Sequence, residues 1–179
     1  MENFFTVNIA GKIEHLPVLT IKEGVNIAFF NLHGNPSLTE HCGKEIAKLC
    51  GDSEVILAAE SKSLQLAHVV ARELGMPFYA VARKEKKLYL KDGISVAYGS
   101  SITTGANQEF HISRHDANLL NGKKVAIIDD VISTGESLKG LEQIVLKAGG
   151  IINKKLFVLA EGDSKDREDV QYLATIPLL

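Results

Sequence analysis

With 179 residues, the chain can build one domain, or one domain with a small subdomain, around a real core. Its composition is ordinarily globular, and a formal net charge of −2 gives non-specific nucleic-acid binding no electrostatic support. No stretch approaches the ~18 consecutive apolar residues of a spanning helix, and Glu2 stands where a signal peptide carries basic residues, so neither a membrane partner nor secretion is expected.

In chain order, residues 1–36 hold short apolar pieces (4–9 and 26–30) without a crossover unit. Ser37 followed by Glu40 has the spacing of a capping box, and Leu38, Cys42, Ile46 and Leu49 then share one helical face up to Gly51. Cys42 and Cys50 fit no metal spacing and read as reduced thiols of a cytoplasmic protein. Residues 55–59 form an apolar run of buried-strand length. A helical stripe follows (Leu64, Leu66, Ala67, Val70, Ala71, Leu74), closed by Gly75 and Pro77. Residues 78–82 are the next expected strand. Residues 84–116 open with a lysine run and lack a core-forming pattern, which suits a mobile loop carried on a two-stranded hairpin. Further strands are expected at 125–128, 156–160 and 172–176, with an amphipathic helix marked by Leu138, Leu141, Val145 and Ala148. Strands alternating with helical stripes predict an α/β protein with a parallel sheet and helices on both faces.

The segment that carries chemistry is 125–137, VAIIDDVISTGES. A buried strand ends in Asp129 and Asp130, a short loop rich in hydroxyls follows, and a helix begins. Backbone N–H groups at a helix start, with the hydroxyls of Ser133, Thr134 and Ser137, can donate to phosphate oxygens. Gly135 allows close approach of the backbone. Two carboxylates beside a phosphate repel it unless something lies between them, and a ribose ring supplies that spacing by donating its hydroxyls to the acids. No lysine follows the glycine, so a Walker nucleotide site is excluded.

At these residues the chain resembles the type I phosphoribosyltransferases, and within them the adenine and xanthine enzymes. The resemblance spans roughly residues 54–160. It implies the type I fold with a small N-terminal hood (1–36) on a core of residues 37–179, and a mobile hairpin loop at about 84–116 that closes over the site. It implies Asp129 and Asp130 as catalytic residues at the ribose, and Ser133, Thr134, Gly135, Glu136 and Ser137 as the phosphate loop. Glu60, Ser61, Lys62 and Ser63 match the family's pyrophosphate turn in position, although they lack its usual glycine. Arg83 and Lys84 match its basic pair, with Lys87 as a further cation. Phe29, Phe30, Asn31 and Glu161 are the candidates for the base. The implied reaction is transfer of ribose 5-phosphate from phosphoribosyl pyrophosphate to a purine, adenine slightly favoured, with Mg2+ as cofactor and a homodimer as the assembly. The alternative is a regulatory protein that senses phosphoribosyl pyrophosphate without turnover. No histidine receives a role, and no general base emerges.

Overall fold

The computed structural model describes residues 3–100 and 107–179. A five-stranded, wholly parallel sheet runs in the order β10-β9-β8-β4-β5, with β4 at Val55–Ala59, β5 at Ala80–Ala82, β8 at Lys124–Ile132, β9 at Ile151–Glu161 and β10 at Gln171–Ile176. Strand β4 is buried at all five positions, as expected of a central parallel strand covered on both sides. Alternation along the strands divides the core in two. Ile56, Ala58, Ala126 and Ile128 pack with helices α1 (Pro36–Leu49) and α2 (Ser63–Glu73). Val55, Leu57, Val125 and Ile127 pack on the opposite face with helices α3 (Arg114–Leu120) and α4 (Glu136–Lys147). The expected fold class is therefore observed.

The N-terminal region is an antiparallel meander: β1 (Phe4–Ile9), β2 (Lys12–Lys22) and β3 (Val25–Ala28). Ala10 and Gly11, both at positive φ, form the two-residue β1–β2 turn, which matches the right-handed twist of a hairpin. Val7, Ile9, Leu16 and Ala28 turn their side chains into the α1–α2 core, and Asn26 N–H donates to the Leu179 carbonyl. The meander is thus fastened to the far end of the chain.

Several expectations are corrected. The cap of α1 is Asn35, whose side chain accepts from Leu38 N–H, with Pro36 opening the helix. Glu40 instead accepts a bidentate pair from Arg72 on α2. Strand β5 starts only at Ala80. Phe78 stays exposed, edge-on to His115. Strand β8 runs through the acidic pair to Ile132, and β9 begins five residues before the apolar run, at Ile151, and passes through Asn153, Lys154 and Lys155. The expected hairpin exists as β6 (Ile94–Ser100) and β7 (Asn107–Ile112), but 84–116 also holds the start of α3, whose capping box is Ser113 with Asp116. The tip of the expected lid, residues 101–106, lies outside the described residues.

Candidate active site

The carboxyl ends of β4, β5, β8 and β9 share one edge of the sheet, where open parallel α/β sheets place their ligands. Consecutive residues of β8 point to opposite faces, so Asp129 and Asp130 part company. Asp129 faces the β4–α2 turn: its Oδ1 accepts Asp130 N–H at 2.9 Å and the Ser61 hydroxyl at 3.5 Å. Asp130 faces Lys62, whose Nζ stands 3.0 Å from Oδ2. That contact is an ion pair in distance but misses hydrogen-bond geometry, so the buried Oδ2 has no hydrogen-bond partner within the described residues. Burial, and then the Asp130 charge beside it, push the Asp129 carboxyl up to about 7. Two consecutive buried acids at the end of one strand can each accept a hydroxyl donor.

Beyond the strand, Val131 to Ser137 with Leu138, Phe157 and Asp129 line a cavity of about 150 Å3. Gly135 holds φ +80° as the residue before α4, where helix-start amides face the turn that a phosphate would enter; the Glu136 N–H donates to the Thr134 hydroxyl oxygen at 3.4 Å. Ser133, Thr134, Glu136 and Ser137 are all exposed around it. The Glu136 carboxylate cannot itself attract phosphate, and only its backbone N–H serves that part. The sequence reading missed two residues here. The Ser164 hydroxyl donates to the carbonyls of Ile132 and Glu161, tying the end of β8 to the end of β9. Tyr98 of β6 stacks on Phe110 with ring centroids 4.1 Å apart, and its hydroxyl meets Ser137. Gly140 admits that pair against α4: a Cβ there would stand 2.6 Å from Tyr98 and 2.8 Å from Phe110. A Tyr-Gly step on a strand of polar neighbours could have flagged this contact; nothing local flags Ser164.

The turn assigned to pyrophosphate is made differently from expectation. Ser63 is fully buried, and its hydroxyl donates to the Ala59 carbonyl, so this side chain supports the turn and cannot reach a ligand. Ser61 accepts from Ser63 N–H and sits between that turn and Asp129. Lys62 does not stand as an open cation: besides Asp130 it donates to the Phe30 carbonyl at 2.8 Å and lies 5.5 Å from the centre of the Phe29 ring. Arg83 pairs with Glu60 at 2.8 Å across the ends of β4 and β5. Its backbone exchanges two 2.8 Å hydrogen bonds with His111 of β7, whose ring meets the Ser95 hydroxyl at 2.7 Å. That histidine, given no role from sequence, fastens the hairpin to the edge of the site. Lys84 is exposed beside Arg83, and Lys87 pairs with Glu85.

On the base side the two phenylalanines separate. Phe30 is buried in the α1–α2 core and offers only its carbonyl, which removes it as a stacking residue. Phe29 is 36% exposed, with the Lys62 ammonium over one face of its ring. Asn31 accepts from His33 N–H in a local turn. Glu161 closes β9 and faces, with Asp163 and Leu178, a cavity of about 360 Å3.

The site thus lies at the carboxyl edge of a parallel α/β sheet and joins an acidic strand end to a glycine turn at a helix start. The family model for the phosphoribosyl transferase domain matches residues 31–175, and the chain belongs to that family. It is 35% identical over 140 residues to a xanthine phosphoribosyltransferase of Exiguobacterium sp. (strain ATCC BAA-1283 / AT1b), covering 74% of this chain and 71% of that one. It is 34% identical over 163 residues to that of Bacillus thuringiensis (strain Al Hakam), covering 85% and 80%. In fold it is similar to the adenine phosphoribosyltransferase of Thermoanaerobacter pseudethanolicus, with a TM-score of 0.73, 19% identity and coverage of 90% and 95%. No helix among the described residues is long and apolar enough to cross a membrane.

Proposed function

We propose that the chain transfers the 5-phosphoribosyl group of phosphoribosyl pyrophosphate to a ring nitrogen of a purine, releasing pyrophosphate and a nucleoside monophosphate. The observation that carries this reading is the succession on one strand and loop: two buried carboxylates, then the Gly135 turn and the open start of α4. Asp129 and Asp130 take the ribose hydroxyls, and their charge lies beside the carbon that becomes cationic as its bond to pyrophosphate lengthens. The Ser133–Thr134 hydroxyls and the Glu136 and Ser137 amides hold the 5-phosphate. Arg83 and Lys84 face the departing pyrophosphate. Lys62 steadies Asp130, and Phe29 offers its ring to the base.

Mg2+ belongs to the proposal. Such an ion would be held chiefly by substrate phosphates and water. Asp129 and Asp130 are the carboxylates that would reach such an ion, directly or through water. When bound, it supplies charge neutralisation at the leaving pyrophosphate. A homodimer, by resemblance to the family, is part of the same proposal and is tested by light scattering.

For the base, the relatives that share a third of their residues with this chain are named for xanthine, whereas the likeness to adenine enzymes is one of fold. Xanthine therefore leads adenine in the proposal. Incubating the protein with phosphoribosyl pyrophosphate, Mg2+ and, singly, xanthine, adenine, guanine, hypoxanthine, uracil and orotate tests both levels. Turnover of pyrimidines alone would overturn the purine reading. Tight binding of the sugar ligand with no turnover of any base would overturn catalysis and favour a sensor.

A further inference from the structure

Between Asp129 and Leu138 the chain carries three acids and no lysine or arginine, so the phosphate loop has no cation of its own. One comes from a separate segment. Arg167 follows the 3-10 turn at Gly162–Asp166, and its Nε and Nη2 donate to Asp169 Oδ1 and Oδ2 at 2.9 and 2.8 Å. This two-point grip sets the plane of the guanidinium and leaves Nη1 outside the pair. Nη1 lies 2.5 Å from where a Cβ on Gly135 would stand, with Cζ at 3.7 Å, so the cation rests on the backbone of the phosphate turn. Asp169 is held in turn by Lys155 at 2.5 Å, and Lys155 by Glu142 of α4 at 2.8 Å. Arg167 also shares a cavity wall with Ser133, Thr134 and Ser164. Strand β9, helix α4 and the loop at 167–169 together hold one positive group behind Gly135.

We propose that Arg167 is a positioning residue for the phosphate end of the pocket: it fixes the Gly135 turn and places permanent positive charge behind the 5-phosphate. This rests on the reading of the loop as a phosphate site. The arrangement also gives Gly135 a second reason to be glycine. Its φ of +80° disfavours any side chain, and the space a Cβ needs is filled by the guanidinium. A purely structural role for the Arg167–Asp169 pair makes different predictions, because packing and charge respond to different substitutions.

The experiment uses the whole protein and four forms: wild type, R167M, R167K and D169N. Each is titrated calorimetrically with ribose 5-phosphate and, separately, with pyrophosphate, and steady-state kinetics are measured with Mg2+ present. R167M, which keeps an unbranched stem but removes the guanidinium and its charge, should weaken ribose 5-phosphate about tenfold or more, as expected for a lost charged contact. Pyrophosphate, at the other end of the pocket, should change by less than about twofold on that scale. R167K should recover part of the loss, and D169N, which frees the fork, should show a smaller loss of the same ligand. KM for the phosphoribosyl donor should rise with kcat nearly held, the pattern of a lost uniform binding contact. Equal loss of both ligands, or unchanged ribose 5-phosphate affinity in R167M, overturns the proposal. If wild type itself binds no ribose 5-phosphate, the reading of the loop falls first and this inference with it.

Discussion

Replacing Asp129 by Asn should make the ligand-free protein more stable at alkaline pH while removing most of its turnover. Burial and the neighbouring Asp130 raise the Asp129 carboxyl from an ordinary 3.8 to about 7. The folded state therefore keeps a proton that the unfolded chain releases near pH 4. Stability from this group is fully present below the unfolded value and is lost as pH rises through 7. At pH 8 the folded state carries the ionised form against burial and the Asp130 charge, a cost that the unfolded chain does not bear. Asn cannot ionise, and its side-chain oxygen can still accept the Asp130 N–H. For a protein of this size each kcal/mol moves Tm by roughly 2–4 °C, so D129N should melt several degrees above wild type at pH 8, and the gap should close by pH 4. Differential scanning calorimetry across pH 4–8 measures it. Turnover should nevertheless fall about 100-fold or more, because the carboxylate acts on charge that exists only on the way to product. A D129N protein no more stable than wild type at pH 8, or one whose gain persists unchanged at pH 4, would refute the argument that this carboxylate is held at a cost.

The other expectations follow the same geometry. Lys62→Met should strand the buried Asp130 Oδ2 without its cation, lowering stability by about 1–3 kcal/mol and turnover with it, as chemical denaturation and kinetics would show. Phe30→Ala should cost about 3–5 kcal/mol of stability as a core truncation, whereas Phe29→Ala should leave stability nearly intact and raise KM for the base; the reverse pattern in paired unfolding and kinetic measurements would exchange their roles. Gly140→Ala should force Tyr98 and Phe110 off α4, costing about 1–3 kcal/mol and changing the near-UV circular dichroism of the stacked pair; an unchanged aromatic signal would contradict the close approach.

The parallel core was legible because its signals are local. Residues 55–59 are an unbroken apolar run that is buried at every position, and the stripes of α1, α2 and α4 recur at the helical period. Where local signals compete, the reading slipped. Ser37 and Glu40 have capping-box spacing, yet Asn35 lies one residue before Pro36, which takes the first helical position, and Glu40 finds Arg72 across the α1–α2 interface. The seven-residue helix α3 has too few turns to show a period, although its Ser113–Asp116 box was available in the sequence. Strand β9 exceeds its apolar run because pairing with β8 carries it through Asn153, Lys154 and Lys155, which propensity alone would leave in a loop.

The candidate site divides along the same line. Its strand-loop-helix part, from Asp129 to Ser137, is contiguous, so backbone geometry alone brings the acids and the phosphate loop together, and the residue order betrays it. The charges that complete it come from elsewhere. Lys62 reaches Asp130 and the carbonyl of Phe30, 32 residues before it, and Arg167 reaches Gly135 through a pair that no spacing rule encodes. An ion pair depends on position in space and is indifferent to separation along the chain. Lys62 was therefore assigned by family likeness to the pyrophosphate, where the structure instead sets it on the site's own carboxylate, and Arg167 received no role. That placement has a consequence for binding. A ligand bringing hydroxyls to Asp130 must either share that acid with Lys62 or displace the ammonium, which then becomes available to the anionic leaving group. A Lys62 that changed partner during the cycle would balance a buried acid in the free protein and turn toward pyrophosphate as ribose arrives. The Lys62→Met variant should then lose affinity for phosphoribosyl pyrophosphate by less than it loses turnover, because part of the ammonium's worth is already spent on Asp130 before the ligand binds.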